Sequence, residues 1–182
     1  MKKNLWAKTI LSVYFYLEKI TKAIDKIIES RVDGSKYYSK NAFNDIMTIS
    51  SHILSLTERK VRLINLKLLC EKALETMPEE YARILIVAFV EKRRAEDSAK
   101  SLDMSLRTYF RKMPLALKSF ENALAQFGYT EKKLQQCYGD ETLIVQAKTK
   151  IDEDKIFRLD KSTFDTIYNT YKFDFKHAKL QM

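Results

Sequence analysis

Glycine and proline are scarce in this chain. Its 182 residues include 3 Gly and 2 Pro, where average usage would give about 13 and 9. Hairpins and sharp turns draw on those residues, so their scarcity argues against a sheet and for long helices. Cysteine is limited to Cys70 and Cys137, too few and too far apart for a disulfide framework or a C-x-x-C site. Cys70 falls in an apolar helical pattern and is expected in the core. His52 and His177 are the only histidines, and neither has a second ligand at i+3 or i+4. Both are expected to be exposed, His52 on the polar side of its helix. The longest apolar run, residues 10–17, is about eight residues against the roughly 20 that span a bilayer. Lys8 precedes it, Glu18 and Lys19 close it, and no small-x-small cleavage site comes after, so Met-Lys-Lys does not read as a signal peptide. The expected setting is cytoplasmic, away from membranes. There is no phosphate-cradling glycine loop and no Cys/His/Asp constellation. Accordingly no enzyme activity, cofactor or metal is expected.

The chain does contain abundant apolar residues (46%) and a formal charge of +9. The excess is localised. Residues 1–40 carry 9 basic and 4 acidic groups, residues 81–120 again 9 and 4, and residues 121–182 balance at 10 and 10. Blocks of this kind suit a polyanionic partner or a solvated helix surface.

Periodicity divides the chain into helices. Trp6, Ile10, Val13, Leu17, Ile20, Ile24 and Ile27 have a 4-3-4-3-4-3 spacing, a heptad seam that must bury against another helix. Residues 32–40 read as a loop around Asp33-Gly34, with Ser39 or Asn41 able to cap the next helix. That longer helix, over 42–76, carries Ile46, Ile49, Ile53, Leu56, Leu63, Cys70, Leu74 and Met77 on one seam. Lys60 and Lys67 occupy its two remaining positions. The first half of this helix is expected to pair with residues 4–31 as a hairpin. The polar seam positions leave a homodimer through these N-terminal helices open.

Pro78, Glu79 and Glu80 suit the first turn of a helix over 79–90, apolar almost all round. Residues 95–102 form a short helix, Asp103-Met104-Ser105 a turn, and 106–113 a second helix that Pro114 ends or kinks. Residues 115–127 continue helically to a C-cap at Gly128. Beyond Gly128 the pattern weakens. Residues 130–138 look helical, 141–148 fit helix or strand, and 152–154 form a charged turn. A Ser162-x-x-Asp165 box precedes a helix from 163 to about 176.

The segment 95–113 has the pattern of two helices crossing steeply. Ala99 is the small residue such a crossing requires, Leu102 and Met104 flank the turn, and Tyr109 and Met113 face inward. Ser105 caps the second helix. Leu106, Arg107, Phe110 and Arg111 then face outward as candidate base contacts, arginine being able to read guanine edges bidentately. Arg93, Arg94, Ser105, Thr108 and Lys112 are candidate contacts to a phosphate backbone.

Residues 77–120 resemble the C-terminal, region 4-like DNA-binding part of bacterial sigma factors. They are closest to the related ArpU- and RinA-type regulators of phage and mobile elements. The resemblance rests on Met77-Pro78-Glu79-Glu80-Tyr81, on Ile84-Leu85 and Phe89, and on Glu96-Asp97-x-Ala99-x-x-Leu102-x-Met104-Ser105. It continues in Ser105-x-Arg107-Thr108-Tyr109-x-Arg111 and Ala116-Leu117. Three positions depart from the family pattern: Asp103 stands where it prefers glycine, Ser98 where it prefers isoleucine, and Pro114 where its recognition helix runs on.

Composition and periodicity give an all-α fold, and the resemblance adds the helix-turn-helix over 77–120. A long helical hairpin over 1–76 would scaffold or dimerise a helix-turn-helix domain over 77–128, with a mostly helical accessory segment over 129–182. It implies a transcriptional regulator that binds double-stranded DNA, with RNA polymerase open as a further partner. The alternative is a protein-interaction module, binding RNA polymerase or self-assembling, without base readout.

Overall fold

The computed structural model describes residues 4–34, 42–153 and 155–173. Among them every regular element is helical: α1 (Leu5–Gly34), α2 (Ala42–Thr76), α3 (Glu79–Leu85), α4 (Ala95–Ser101), α5 (Leu106–Gln126), α6 (Glu131–Tyr138), α7 (Thr142–Asp152) and α8 (Lys161–Phe173). The protein is all-α. Its described residues form two compact units, 4–15 with 65–158 and 16–64 with 159–173. α1 and α2 each contribute to both units.

In the first unit, the start of α1 buries Trp6, Ile10, Leu11 and Val13, and the end of α2 buries Leu66, Cys70, Ala73 and Leu74. The Tyr14 hydroxyl donates to the Glu71 carboxylate at 2.7 Å. α5 packs against α3 and α4, contributing Tyr109, Ala116, Leu117, Phe120 and Leu124 to the core. Residues 79–90 are not one regular α-helix. After Leu85 the chain widens into a π-helical turn, Ile86–Val90, with Glu91 N–H bonded to the Ile86 carbonyl at 2.9 Å. Of that turn only Val87 is buried. Residues 142–152, readable from sequence as helix or strand, are helical and bury Leu143, Ile144 and Ala147.

The second unit buries Leu17, Ile20, Ile24 and Ile27 of α1, Leu56 and Leu63 of α2, and Ile167 and Tyr171 of α8. The heptad residues expected on α1 are thus buried in both units. α2 differs from expectation. Its seam is buried from Leu56 onward, but Ile46 is 49% exposed and Ile49 and Ile53 are half-buried. The buried side there carries His52, Ser55 and Arg59 instead. His52, expected to be exposed, is 1% exposed. Its Nε2 donates to the Tyr171 carbonyl at 3.0 Å, while Arg31 donates to the Lys172 carbonyl at 2.8 Å. The last carbonyls of a helix have no intrahelical partner. These two side chains satisfy two of them in α8, which is why polar residues face inward. Arg59 also lies 5.5 Å over the Tyr171 ring.

Three further local expectations change. α1 continues through Asp33 and Gly34, so 32–34 are helix rather than loop; Ser39, Asn41 and His177 lie outside the described residues. α8 begins at Lys161 and is capped by Asp160, whose carboxylate accepts from Thr163 N–H at 2.7 Å. That carboxylate takes the place of the expected Ser162–Asp165 box. Pro114 neither ends nor splits its helix, since α5 runs unbroken for 21 residues. Proline removes the N–H that would bond the Phe110 carbonyl, but Pro114 and Phe110 are both on the exposed side, where water can serve that carbonyl. The buried stripe from Tyr109 through Ala116 and Phe120 to Leu124 runs through both halves of the helix.

Candidate nucleic-acid interface

α4 ends in a Schellman arrangement. Asp103 N–H bonds the Lys100 carbonyl at 3.2 Å and Met104 N–H bonds the Ala99 carbonyl at 3.0 Å. The geometry requires a left-handed residue just past the cap, and Asp103 supplies it with φ +50°. The left-handed position is therefore filled by aspartate, one of the few side chains that visit this region readily. Two residues on, Ser105 has extended backbone and its hydroxyl accepts from Thr108 N–H at 3.1 Å. The reversal from α4 to α5 takes only Leu102–Ser105.

Ala99 and Ser98 are buried where α4 meets α5, at 3% and 0% exposure. Ser98 Oγ donates to the Arg94 carbonyl at 2.9 Å, and the same hydroxyl faces the Tyr109 phenol. Burial raises the phenol's pKa, and the Ser98 hydroxyl offsets part of that rise. Tyr109 meets Phe110 edge-on, with ring centroids 5.7 Å apart.

With Tyr109 facing inward, the other side of the first two turns of α5 faces out. Leu106 is 39% and Phe110 58% exposed, and Arg107 and Arg111 are exposed beside them. The result is an apolar pair and a guanidinium pair, each at i, i+4, side by side on one face. Neither Arg107 nor Arg111 has an ion-pair partner among the described residues, nor does Arg94. The remaining backbone-contact candidates are engaged within the chain. Arg93 Nε lies 2.6 Å from Glu91, Lys112 pairs with Glu80, and Thr108 Oγ1 lies 2.9 Å from Ser105 Oγ.

Two features of this region escape a reading of the sequence. Lys92, just after the π turn, takes φ +54° and sets its ammonium 4.5 Å over the Phe15 ring. That contact links residues 77 apart, so no local pattern signals it. Leu115, one turn beyond Arg111, is 52% exposed and continues the row of Arg107 and Arg111, on the far side of the helix from Leu106. Its helical spacing from Arg111 is the signal that could have placed it there, had the helix been carried past Pro114.

Elsewhere in the first unit, a cleft of about 470 Å³ is lined by Trp6, Lys118, Glu121, Asn122, Tyr129 and Glu131 among others. Among the described residues no group of three or more His, Cys, Asp or Glu side chains could hold a metal ion, and no helix is long and apolar enough to cross a membrane. Compared with protein families, curated proteins and solved structures, the chain matches none.

Proposed function

We propose that the chain is a cytoplasmic, sequence-specific transcriptional regulator that inserts the first two turns of α5 into the major groove of duplex DNA. The observation that carries this reading is the face formed by Leu106, Arg107, Phe110 and Arg111. Two exposed guanidinium groups one helical turn apart, without ion-pair partners among the described residues, suit guanine edges, and the adjacent apolar pair suits thymine methyls. Arg94, at the N-cap of α4, reaches phosphate directly. Arg93 and Lys112 reach it by exchanging a carboxylate for a phosphate oxygen. The test is in-vitro selection from random duplex DNA followed by gel shifts. Arg107→Ala and Arg111→Ala should each weaken the selected site by roughly 1–3 kcal/mol and relax its sequence preference. Unchanged affinity and preference in the double variant would sink the reading.

A second reading is favoured by Leu106 and Phe110, large apolar side chains exposed one turn apart. In it the same face grips a protein, such as RNA polymerase, without base readout. Salt separates the two, because phosphate contacts weaken steeply between about 50 and 200 mM and an apolar contact does not.

A further inference from the structure

The outer side of α2 in the second unit carries another seam, on a different face from Leu56 and Leu63. Met47, Ser50, Leu54, Thr57, Val61 and Ile64 succeed one another at spacings of 3, 4, 3, 4 and 3. Met47 is 45%, Leu54 50%, Val61 49% and Ile64 39% exposed, and Ser50 and Thr57 are exposed between them. Single exposed apolar residues are ordinary. An unbroken heptad register of them along one helix is the pattern by which helices pair.

We propose that this face pairs with the same face of a second copy, antiparallel, about a two-fold axis at the level of Leu54 and Thr57. The seam is self-complementary in size only in that arrangement. Leu54 lies opposite Thr57 of the second copy, Val61 opposite Ser50, and Met47 opposite Ile64. Parallel pairing would instead stack Ser50 on Ser50 and Thr57 on Thr57, making two hydroxyl layers. Thr57 can be covered without orphaning its hydroxyl, which already donates to the Ile53 carbonyl at 2.8 Å. Charge permits the pairing as well. Glu58 falls beside Ser51 and Lys60 beside Ile53 of the second copy, and Lys60 is already paired with Asp25 at 2.6 Å, so no like charges meet.

The seam is about 27 Å long and about 10 Å wide. Covering it removes roughly 1,000 Å² over both copies, near the lower bound for a specific interface. The expected dimer is weak, dissociating on the order of 10 µM. Dimerisation through α2 is independent of what α5 binds.

Sedimentation of the full chain over a concentration series should show a monomer–dimer equilibrium. Leu54→Glu with Val61→Glu should weaken it at least tenfold, with the helical circular-dichroism signal unchanged. Cross-linking gives the orientation and does not depend on that variant folding. With Cys137→Ser as background, Ser50→Cys plus Val61→Cys should oxidise to a covalent dimer. Ser50→Cys alone should not, because the two copies of residue 50 stand about 16 Å apart along the helix. A monomer at all concentrations overturns the proposal. So does a dimer untouched by the two glutamates, or efficient linkage through Ser50→Cys alone.

Discussion

The hydroxyl of Ser98 stands between the Arg94 carbonyl, to which it donates at 2.9 Å, and the phenol of Tyr109. It thereby joins α4 to the first turn of α5. A position that an apolar side chain could fill carries instead a buried hydroxyl facing a buried phenol. Removing the phenol leaves Ser98 its bond to Arg94, so Tyr109→Phe should destabilise by about 1 kcal/mol, the net value of one hydrogen bond. Ser98→Ile would strand the phenol and should cost more, about 1–3 kcal/mol. Urea titrations of both variants check the order.

The first unit should be labile to alkali. Burial is the largest cause raising the pKa of Cys70, Tyr14 and Tyr109, and the Glu71 carboxylate adds to the rise for the first two. A pKa higher in the folded state means that the unfolded chain gives up these protons first. The stabilising effect is complete below the unfolded pKa values, about 8.5 for a thiol and about 10 for a phenol. It is lost as pH rises past them toward the folded values. Melting temperature should therefore fall from about pH 9 upward. Tyr14→Phe and Tyr109→Phe should flatten that fall, and an unaltered slope would count against this assignment.

Two helix ends differ in how well their residue suits a left-handed backbone. Gly128, at φ +83°, closes α5, with Gly128 N–H bonded to the Ala125 carbonyl and Tyr129 N–H to that of Leu124, both at 2.9 Å. Asp103 does the same for α4 at φ +50°. Gly128→Ala should cost roughly 1 kcal/mol and Asp103→Gly should gain up to about 1 kcal/mol. Thermal melts of the two variants should shift in opposite directions.

Pro114→Ala should stabilise the protein by about 1–3 kcal/mol, since the intact helix then regains a backbone bond and loses a ring clash. If stability falls instead, the proline is serving a local geometry that the continuous α5 does not reveal.

Glu80 holds Lys112 in an ion pair, which a phosphate would have to displace if α5 binds DNA. If α5 reads DNA, Glu80→Gln should tighten binding several-fold. The slope of log affinity against log salt should steepen by about 1, the increment for one added phosphate contact. Titration of one selected site at several salt concentrations measures both.

Much of the fold is legible in the amino-acid order. The scarcity of glycine and proline and the uninterrupted 3–4 spacing from Trp6 to Ile27 are enough to specify a long buried helix, because every residue on that seam is apolar and burial comes from local period alone. Ser105 as a cap and Gly128 as a terminator are equally local, each depending on bonds within a few residues. The same reasoning puts Leu106, Arg107, Phe110 and Arg111 on one face of α5, whatever that face binds. Tertiary structure decided the rest, wherever a local rule met a distant partner. His52 reads as part of an outward polar side, yet it is buried and finds its acceptor 119 residues away at Tyr171. Pro114 reads as a helix stop, yet one continuous stripe packed on α3 and α4 outweighs the lost hydrogen bond. Arg93 and Lys112 read as cations open to phosphate, and folding gives each a carboxylate. Local period determines which side of a helix is apolar. Which polar groups become satisfied inside depends on what the fold brings against them.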